Sequence, residues 1–303
     1  MPDLTTTIGP LKLSNPTILA SGIMDEDAGS IHRMISGGAA AIVTKSIGLQ
    51  PRDGYPNPTV AETTCGLLNA MGLPNPGIDA FLPELDILIT TTKIPIIGSI
   101  YGKDPEEFIR LANKMQDHHA AAVELNVSCP HAKHYGMEVG MDPAVLTDIV
   151  KAVKQAIHIP VHVKLSPNVN NIVTLATAAR DAGADAIVAI NTLKGMSINL
   201  DLHLPILANK TGGYSGPAIK PVGVRCVYDI TQAVDIPVIG VGGVTTGEDA
   251  LEYIMAGASA VQIGTAVYLR GPDVFSQITK EITDWLTRHH VQRLMDLRGA
   301  AHP

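Results

Sequence analysis

"RDAGADAIVAINT", residues 180–192, places a glycine at the end of an amphipathic segment and directly before an apolar run. The same order appears in "ISGGAAAIV" (35–43) and in "IMAGASAVQI" (254–263). A glycine that ends a helix and leads into a strand is typical of the helix-to-strand turn of α/β proteins. The three copies predict a repeated unit of helix and strand.

Short apolar runs recur along the whole chain, and amphipathic segments separate them. The eight runs are "TILASG" (17–22), "AAIVTKS" (40–46), "IPIIGSI" (94–100), "AAVELNVS" (121–128), "IPVHVKLS" (159–166), "DAIVAINT" (185–192), "IPVIGVGG" (236–243) and "SAVQIGTA" (259–266). Three of them begin at Ile-Pro, and proline is tolerated at the first residue of a strand. Near-continuous hydrophobic strands that alternate with helices indicate a parallel sheet covered by helices.

The segments between the runs have helical patterns, as in "DPEEFIRLANKM" (104–115) and "DPAVLTDIVKAVKQAI" (142–157). Eight such units in 303 residues predict an α/β protein with a (β/α)8 TIM barrel, formed by one domain over residues 1–303. An open doubly wound sheet is the alternative. Two long connections interrupt the pattern. Residues 47–93, with only short helical pieces, and residues 193–217 are predicted to be binding loops inserted at the carboxyl-terminal face.

Composition excludes several classes of function. A net charge of −7 without any Lys/Arg cluster argues against a nucleic-acid surface. The three cysteines form no CxxC pair, and no metal-ligand spacing occurs, so neither a disulfide framework nor a zinc site is expected. The N-terminus lacks the pattern of a signal peptide, and no apolar run is long enough to span a bilayer. We therefore predict a cytoplasmic protein that does not bind membranes.

Polar residues and glycines collect at the ends of the predicted strands, where barrels carry their active sites. These residues are Ser21, Lys45, Ser99, Asn126, Lys164, Asn191, Thr192, Gly242, Gly243, Gly264 and Thr265. The last two strands end in "GVGG" and "IGTA", and barrels often bind phosphate at those two loops. The alternative is that the glycines merely terminate strands.

Two lysines and a set of asparagines indicate the type of ligand. Lys45 and Lys164 each follow an apolar strand, and a lysine in that position needs an anionic partner unless its side chain reaches solvent. Asn69, Asn126 and Asn191 offer both donors and acceptors, which suits a planar ligand with imide edges. The alternative for each asparagine is a hydrogen bond to turn backbone.

Cys129 is predicted to lie just past a strand end, and Pro130 is expected to favour an extended conformation for it. A thiol in that position can act as a base or as a nucleophile. The sequence does not decide between the two, and the nearby His131 and His134 are either proton partners or solvated loop residues. Cys65 and Cys226 are predicted to be small buried core residues.

Several long motifs together resemble the dihydroorotate dehydrogenases, specifically the class 1 enzymes of the NAD-linked 1B type. The motifs are "ELNVSCP", "VKLSPNV", "AINTLKGM", "ILANKTGGYSGPAIKPV", "IPVIGVGGV" and "AVQIGTAVY", and the resemblance covers nearly the whole chain. It implies a barrel that contains FMN and oxidises (S)-dihydroorotate to orotate in de novo pyrimidine biosynthesis. It also implies that Cys129 is the base that takes the C5 proton of the substrate while a hydride passes from C6 to FMN.

The resemblance also implies roles for further residues. Those expected to bind FMN are Ser21, Lys45, Ser46, Ser99, Asn126, Lys164, Ile190, Gly216, Gly242, Gly243, Gly264 and Thr265. Those expected to hold the substrate are Lys45, Asn69, Ala70, Met71, Gly72, Leu73, Asn126, Asn191 and Thr192. A cation near the pyrimidine edge of the flavin stabilises its anionic reduced form, a task for Lys164.

The resemblance implies partners too: a homodimer of this chain, joined in a heterotetramer with a subunit that carries FAD and a [2Fe–2S] cluster and passes electrons to NAD. Two positions depart from the family's pattern, because His131 and Ser99 stand where asparagine is usual. "SCPH" is similar to the pyrimidine-reducing domain of dihydropyrimidine dehydrogenase, so uracil or thymine chemistry stays an alternative. Two others are a flavin-free barrel lyase with Lys164 as a Schiff-base nucleophile and a non-catalytic scaffold.

Overall fold

The computed structural model of the chain describes residues 1–127 and 141–303. The strands in these two ranges are β1 (Thr6–Ile8), β2 (Leu11–Leu13), β3 (Thr17–Leu19), β4 (Ala41–Val43), β5 (Val60–Thr63), β6 (Gly66–Asn69), β7 (Ile96–Ile100), β8 (Ala122–Asn126), β9 (Val161–Leu165), β10 (Ala186–Ala189), β11 (Leu193–Gly195), β12 (Ile198–Asn199), β13 (Leu204–Pro205), β14 (Gly212–Ser215), β15 (Val238–Val241) and β16 (Ala260–Ile263).

Eight of these strands form a closed parallel barrel in the order β3-β4-β7-β8-β9-β10-β15-β16, and β16 pairs with β3. Each of the eight apolar runs contains one barrel strand. The prediction of a (β/α)8 barrel is therefore confirmed, and the closure of the sheet excludes the open doubly wound alternative.

The helices surround the barrel and account for the amphipathic segments. They are α1 (Ala28–Ser36), α2 (Ile78–Thr91), α3 (Pro105–Asp117), α4 (Pro143–Ala156), α5 (Ile172–Asp181), α6 (Lys220–Thr231), α7 (Gly247–Met255), α8 (Ala266–Arg270) and α9 (Val274–Arg288), with short 3-10 segments at Pro217–Ile219 and Leu294–Leu297. None of the described helices is both long and apolar enough to cross a membrane.

The turns from helix to strand confirm the glycine pattern from which the fold was predicted. Gly38, Gly183 and Gly257 follow the ends of α1, α5 and α7 with φ of +104°, +98° and +107°. Residues with a side chain rarely adopt these angles, whereas glycine adopts them readily, so the chain can leave the helix and enter the next strand.

The side chains of strand β8 point alternately toward the outer helices and into the barrel. Val123 and Leu125 belong to the large apolar cluster that the strands share with the outer helices. Successive side chains of a strand point to opposite faces, so Glu124 and Asn126 point into the barrel. The upper barrel interior is therefore polar, although every residue of β8 is buried.

A hairpin of β1 and β2 covers the amino-terminal end of the barrel. Ile8 and Leu13 of this hairpin are almost fully buried and belong to one apolar cluster with Ile18, Ala41 and Ile97 from the lower barrel interior. The hairpin thus closes one end of the barrel, and the cavity described below opens at the other end.

The two long connections meet at the open end. Strands β5 and β6 from the first connection join β11 and β14 from the second in a four-stranded antiparallel sheet, β11-β14-β6-β5.

The prediction of only short helical pieces in residues 47–93 is wrong, because α2 has 14 residues. Phe81, Leu85 and Leu88 are buried on its inner face, while Pro83 in its second turn obscures the helical pattern in the sequence.

Candidate active site

A cavity of about 430 Å³ lies between the carboxyl ends of the barrel strands and the small sheet above them. Small-molecule sites commonly enclose about 300–1,000 Å³. The predicted site residues that line this cavity are Ser21, Lys45, Ser46, Asn69, Met71, Gly72, Leu73, Asn126, Lys164, Ile190, Asn191, Thr192, Gly216, Gly242, Gly243, Gly264 and Thr265. The fold therefore gathers around one cavity residues that are spread over most of the sequence.

Two predicted site residues lie behind the cavity wall instead. Ala70 is buried and packs against Leu68 and Leu207. Ser99 is fully buried, and its Oγ lies 2.8 Å from Ser46 Oγ. Ser46 also accepts a hydrogen bond of 2.9 Å from Asn126 Nδ2. Ser99 is thus placed to hold Ser46 against the cavity, and a direct contact of Ser99 with a ligand stays a prediction.

Three glycines form one wall of the cavity. Gly216, Gly242 and Gly243 have φ of +100°, +122° and +72°. A Cβ atom on Gly243 would lie 2.8 Å from Lys220 N and 2.9 Å from Gly216 O. The close approach of these two backbone segments therefore requires glycine, and bare backbone at such a wall suits a phosphate group.

Side chains beneath this wall hold it in place. Asp249 accepts hydrogen bonds from Lys220 Nζ at 2.8 Å and from Thr245 N at 2.9 Å. Burial alone would raise the pKa of Asp249, but the hydrogen bonds from Lys220 and Thr245 lower it below its ordinary value. Tyr253 is fully buried and donates its hydroxyl hydrogen to Gly242 O at 2.7 Å, and burial raises the pKa of this phenol. The glycine wall is therefore held in a fixed conformation by hydrogen bonds from the side chains beneath it.

The two predicted lysines both face the cavity, and each has an acidic neighbour. Lys45 Nζ lies 2.9 Å from Glu26 Oε1, and the side chains are 8% and 64% exposed. Lys164 Nζ donates to Gln262 Oε1 at 3.2 Å and lies 3.5 Å from Glu124 Oε1. The exposed partner of Lys45 can be exchanged for a ligand, whereas the buried partners of Lys164 are fixed.

Asp25 is a buried carboxyl close to Lys45. Its Oδ2 accepts a hydrogen bond from Gly22 N at 2.5 Å, and its Oδ1 has no partner among the described residues. Burial raises the pKa of Asp25 to about 6, although the charge of Lys45 opposes the shift. The backbone N–H of Lys45 also donates a hydrogen bond to the carbonyl oxygen of Asp25, so Asp25 holds the loop after β3 next to Lys45.

Replacement of Asp25 by asparagine is expected to change how stability depends on pH. In the folded state the carboxyl has a pKa of about 6, against 3.8 when unfolded, so the folded state holds the proton more tightly and loses stability as pH rises from about 4 to 6. Asparagine cannot ionise. The free energy of unfolding of Asp25→Asn, relative to wild type, should therefore increase by about 2 kcal/mol between pH 4 and pH 7.

Urea unfolding at a series of pH values measures this difference. Asp27→Asn is the control, because Asp27 is exposed and the backbone N–H of Ser30 lowers its pKa, so its pH dependence has the opposite sign. Parallel curves for Asp25→Asn and wild type would contradict the prediction.

Asn69 and Asn191 at the cavity are oriented by hydrogen bonds to the backbone. Asn69 Nδ2 donates to Gly213 O at 3.3 Å, and Asn191 Oδ1 accepts from Thr192 N at 2.7 Å. Thr192 O in turn accepts from Asn168 Nδ2 at 2.9 Å. The cavity therefore presents oriented amide and hydroxyl groups in the same lining as the glycine wall and the two lysines.

Sequence reasoning missed the polar floor of the cavity. Gln262 lines the cavity, and Glu124 lies below it, fully buried. Both stand inside otherwise apolar strands, in "SAVQIG" and "AAVELN", and a charged or amide residue within such a run was the signal that could have identified them. One inward position below Lys164 on β9 is His162, and burial lowers its pKa to about 4, so this ring is neutral.

The predicted base, Cys129, lies outside the described residues, as do His131 and His134. The prediction for Cys226 is confirmed, because it is fully buried. The prediction for Cys65 is wrong: it is exposed, since it occupies the turn between β5 and β6, where the backbone runs over the surface.

The closed barrel, with its cavity at the carboxyl ends of the strands, defines a (β/α)8 barrel of the kind that carries an enzyme active site at this face. The family model described as dihydroorotate dehydrogenase matches residues 3–286. This chain belongs to the dihydroorotate dehydrogenase family.

Curated relatives resemble the chain over nearly its full length, and each carries the name dihydroorotate dehydrogenase B (NAD(+)), catalytic subunit. The relative from Methanocaldococcus jannaschii is 50% identical over 302 residues, which cover 99% of this chain and 98% of that protein. The relative from Pyrococcus horikoshii is 51% identical over 291 residues, with coverages of 96% and 95%. The relative from Thermoplasma acidophilum is 49% identical over 301 residues and 99% of each chain.

Proposed function

We propose that this protein oxidises dihydroorotate to orotate in pyrimidine biosynthesis, with FMN as its bound cofactor. The observation that carries the proposal is the cavity at the open end of the barrel, where the glycine wall, two lysines and a set of oriented amides surround the same space. Family membership and relatives about 50% identical over nearly the whole chain support the same activity.

The residues present fit a flavin mononucleotide. The wall of Gly216, Gly242 and Gly243 offers bare backbone of the kind that receives a phosphate, and any Cβ on Gly243 would collide with Lys220. Lys164 and Gln262 present an ammonium and an amide from the cavity floor, which suit the polar edge of a heteroaromatic ring. When bound, a flavin supplies the acceptor for a hydride.

Lys45 is proposed to bind the carboxylate of the substrate. The ion pair of Lys45 with Glu26 joins a buried ammonium to a carboxylate whose side chain is 64% exposed. A substrate carboxylate can replace Glu26 at little cost, because Glu26 regains full hydration when it is displaced. Asn69, Asn191 and Thr192 then face the imide edges of a planar ring with both donors and acceptors.

Cys129 is proposed as the base that removes the C5 proton of dihydroorotate. The proposal rests on the resemblance of "ELNVSCP" to the family and on the position of the described end of β8, since Asn126 lines the cavity three residues before the cysteine. Removal of this proton on one side of the ring lets the second hydrogen leave as a hydride from the neighbouring carbon, so that both hydrogens are accounted for.

A second subunit is proposed as the route by which electrons reach NAD. The printed names of the relatives include "NAD(+)" and "catalytic subunit". The chain itself has three cysteines, scattered at 65, 129 and 226, without the spacing of a [2Fe–2S] motif. FAD and the cluster are therefore assigned to the partner, and the homodimer and the cytoplasmic location stay predictions.

Anaerobic titration of the purified protein tests the proposed function. We expect a yellow protein whose flavin absorbance is bleached by dihydroorotate and is not bleached by the same concentration of dihydrouracil, because only dihydroorotate carries a carboxylate for Lys45. Flavin released from the denatured protein should be FMN.

Three results would count against the proposal. A folded protein without any affinity for flavin would overturn the cofactor assignment. Bleaching by dihydrouracil in preference to dihydroorotate would favour uracil or thymine chemistry. Borohydride trapping of a substrate on Lys164 in flavin-free protein would favour a lyase.

A further inference from the structure

A chain of three side chains forms the polar floor of the cavity. Glu124 Oε2 accepts a hydrogen bond of 2.6 Å from Gln262 Nε2, and Gln262 Oε1 accepts one of 3.2 Å from Lys164 Nζ. Glu124 Oε1 lies 3.5 Å from Lys164 Nζ and has no hydrogen-bond partner in the described part of the chain. The carboxylate, the amide and the ammonium therefore close a triangle across the barrel, from β8 to β16 to β9.

All three side chains of this triangle are buried. Glu124, Gln262 and Lys164 are 0%, 1% and 5% exposed. Within the eight barrel strands that the structure describes, Glu124 is the one carboxylate and Lys164 is the one lysine. Charges removed from water are tolerated when they pair with each other, and each of these two lacks another counter-charge in the strands.

The hydrogen bonds also fix the direction of each group. A carboxylate only accepts hydrogen bonds, so Gln262 must turn its NH2 group toward Glu124 and its carbonyl oxygen toward Lys164. Lys164 and Gln262 line the cavity, whereas Glu124 lies below it. Glu124 thus acts on the cavity only through its two neighbours.

We propose that Glu124 is a positioning residue that holds the Lys164 ammonium at the cavity floor and, by partly neutralising its charge, sets the reduction potential of the bound flavin. This inference rests on the proposed function, because it requires that flavin binds above Lys164. The two-electron-reduced cofactor carries one more negative charge than the oxidised one, so a nearby cation favours reduction and a carboxylate behind that cation opposes it.

The reduction potential of the flavin-loaded protein tests this proposal, measured against a reference dye at pH 6.5. Glu124→Gln keeps the shape of the side chain and can still bond to Gln262, but it removes the negative charge. We expect the equilibrium constant for reduction to rise at least tenfold, about 30 mV for a two-electron couple. Glu124→Asp keeps the charge at a greater distance, so its potential should lie between the two and nearer to wild type.

His162→Gln is the matched control. It changes a buried polar side chain on the same strand as Lys164, but the group is neutral and has no hydrogen-bond partner among the described residues. The potential of this variant should stay within about threefold of wild type in the equilibrium constant, because no charge is lost.

A general disturbance of the barrel would change the melting temperature and the flavin affinity. It would not make the reduction potential rise in the order wild type, Glu124→Asp, Glu124→Gln. The proposal is overturned if Glu124→Gln leaves the potential unchanged or lowers it, or if Glu124→Asp shifts it as far as Glu124→Gln. If Glu124→Gln does not fold, the reduction potential of Glu124→Asp provides the test. A potential above that of wild type supports the proposal, and one at or below it overturns the proposal. A wild-type protein that binds no flavin refutes the proposed function instead, so the two failures are distinguishable.

Discussion

Reduction of the flavin by dihydroorotate is expected to be about 10²–10⁴-fold slower in Cys129→Ala than in wild type, because a positioned base commonly contributes a factor of this size. The colour of the protein should be retained, since the cofactor is proposed to bind through the glycine wall and the lysines, which alanine at 129 does not change. Anaerobic stopped-flow absorbance of the flavin band measures the rate.

Cys65→Ala is the matched control for this experiment. It removes a thiol from the exposed turn between β5 and β6 and should leave the rate of flavin reduction unchanged. Raising the pH should accelerate wild type until the thiol is fully ionised and should not restore the alanine variant. An equal rate in wild type and Cys129→Ala would remove this cysteine from the mechanism.

Affinity for flavin is expected to fall by about 100-fold or more in Gly243→Ala. The added Cβ would meet Lys220 N at 2.8 Å and Gly216 O at 2.9 Å, and both are backbone atoms that cannot rotate away. A φ of +72° costs a residue with a side chain a further 1–2 kcal/mol or so. The wall must therefore move, and loss of two charge-assisted hydrogen bonds of about 1.5–3 kcal/mol each corresponds to that fall in affinity.

Gly9→Ala separates this collision from the effect of backbone angle. Gly9 has a φ of +55° in the turn between β1 and β2, and a Cβ there would have no atom within 4 Å. This variant should lose some stability and keep its flavin. Flavin fluorescence quenching gives the dissociation constants, and equal affinities in the two variants would contradict the role assigned to the wall.

The barrel was predictable because its signals are local. An apolar run of about six residues, a glycine at a positive φ and an amphipathic helix each depend on neighbours in sequence, and eight repeats leave few other folds. The helix α2 was missed for a related reason: Pro83 and the surrounding glycines and prolines argue locally for a loop, whereas burial of Phe81 and Leu85 against the barrel stabilises the helix.

The cavity residues at the strand ends were also predictable, because the end of a strand in a barrel is a position that sequence reveals, whereas Met71, Gly72, Leu73 and Gly216 in the connections were named only through the resemblance to the family. The floor was not. Whether Glu124 faces the barrel interior or a covering helix depends on the register of β8, and its pairing with Gln262 joins residues 138 positions apart. The buried position of Asp25 likewise depends on how the loop after β3 folds back onto β4, where Lys45 N bonds to Asp25 O.

The hairpin of β1 and β2 determines how molecules can travel to and from the cavity. Since Ile8 and Leu13 fill the amino-terminal end of the barrel, the part of the cavity that the structure describes is reached from the carboxyl-terminal face. Substrate that enters and orotate that leaves therefore cross the same face of the barrel. A barrel closed at its amino-terminal end thus makes the release of orotate a step that precedes binding of the next substrate molecule.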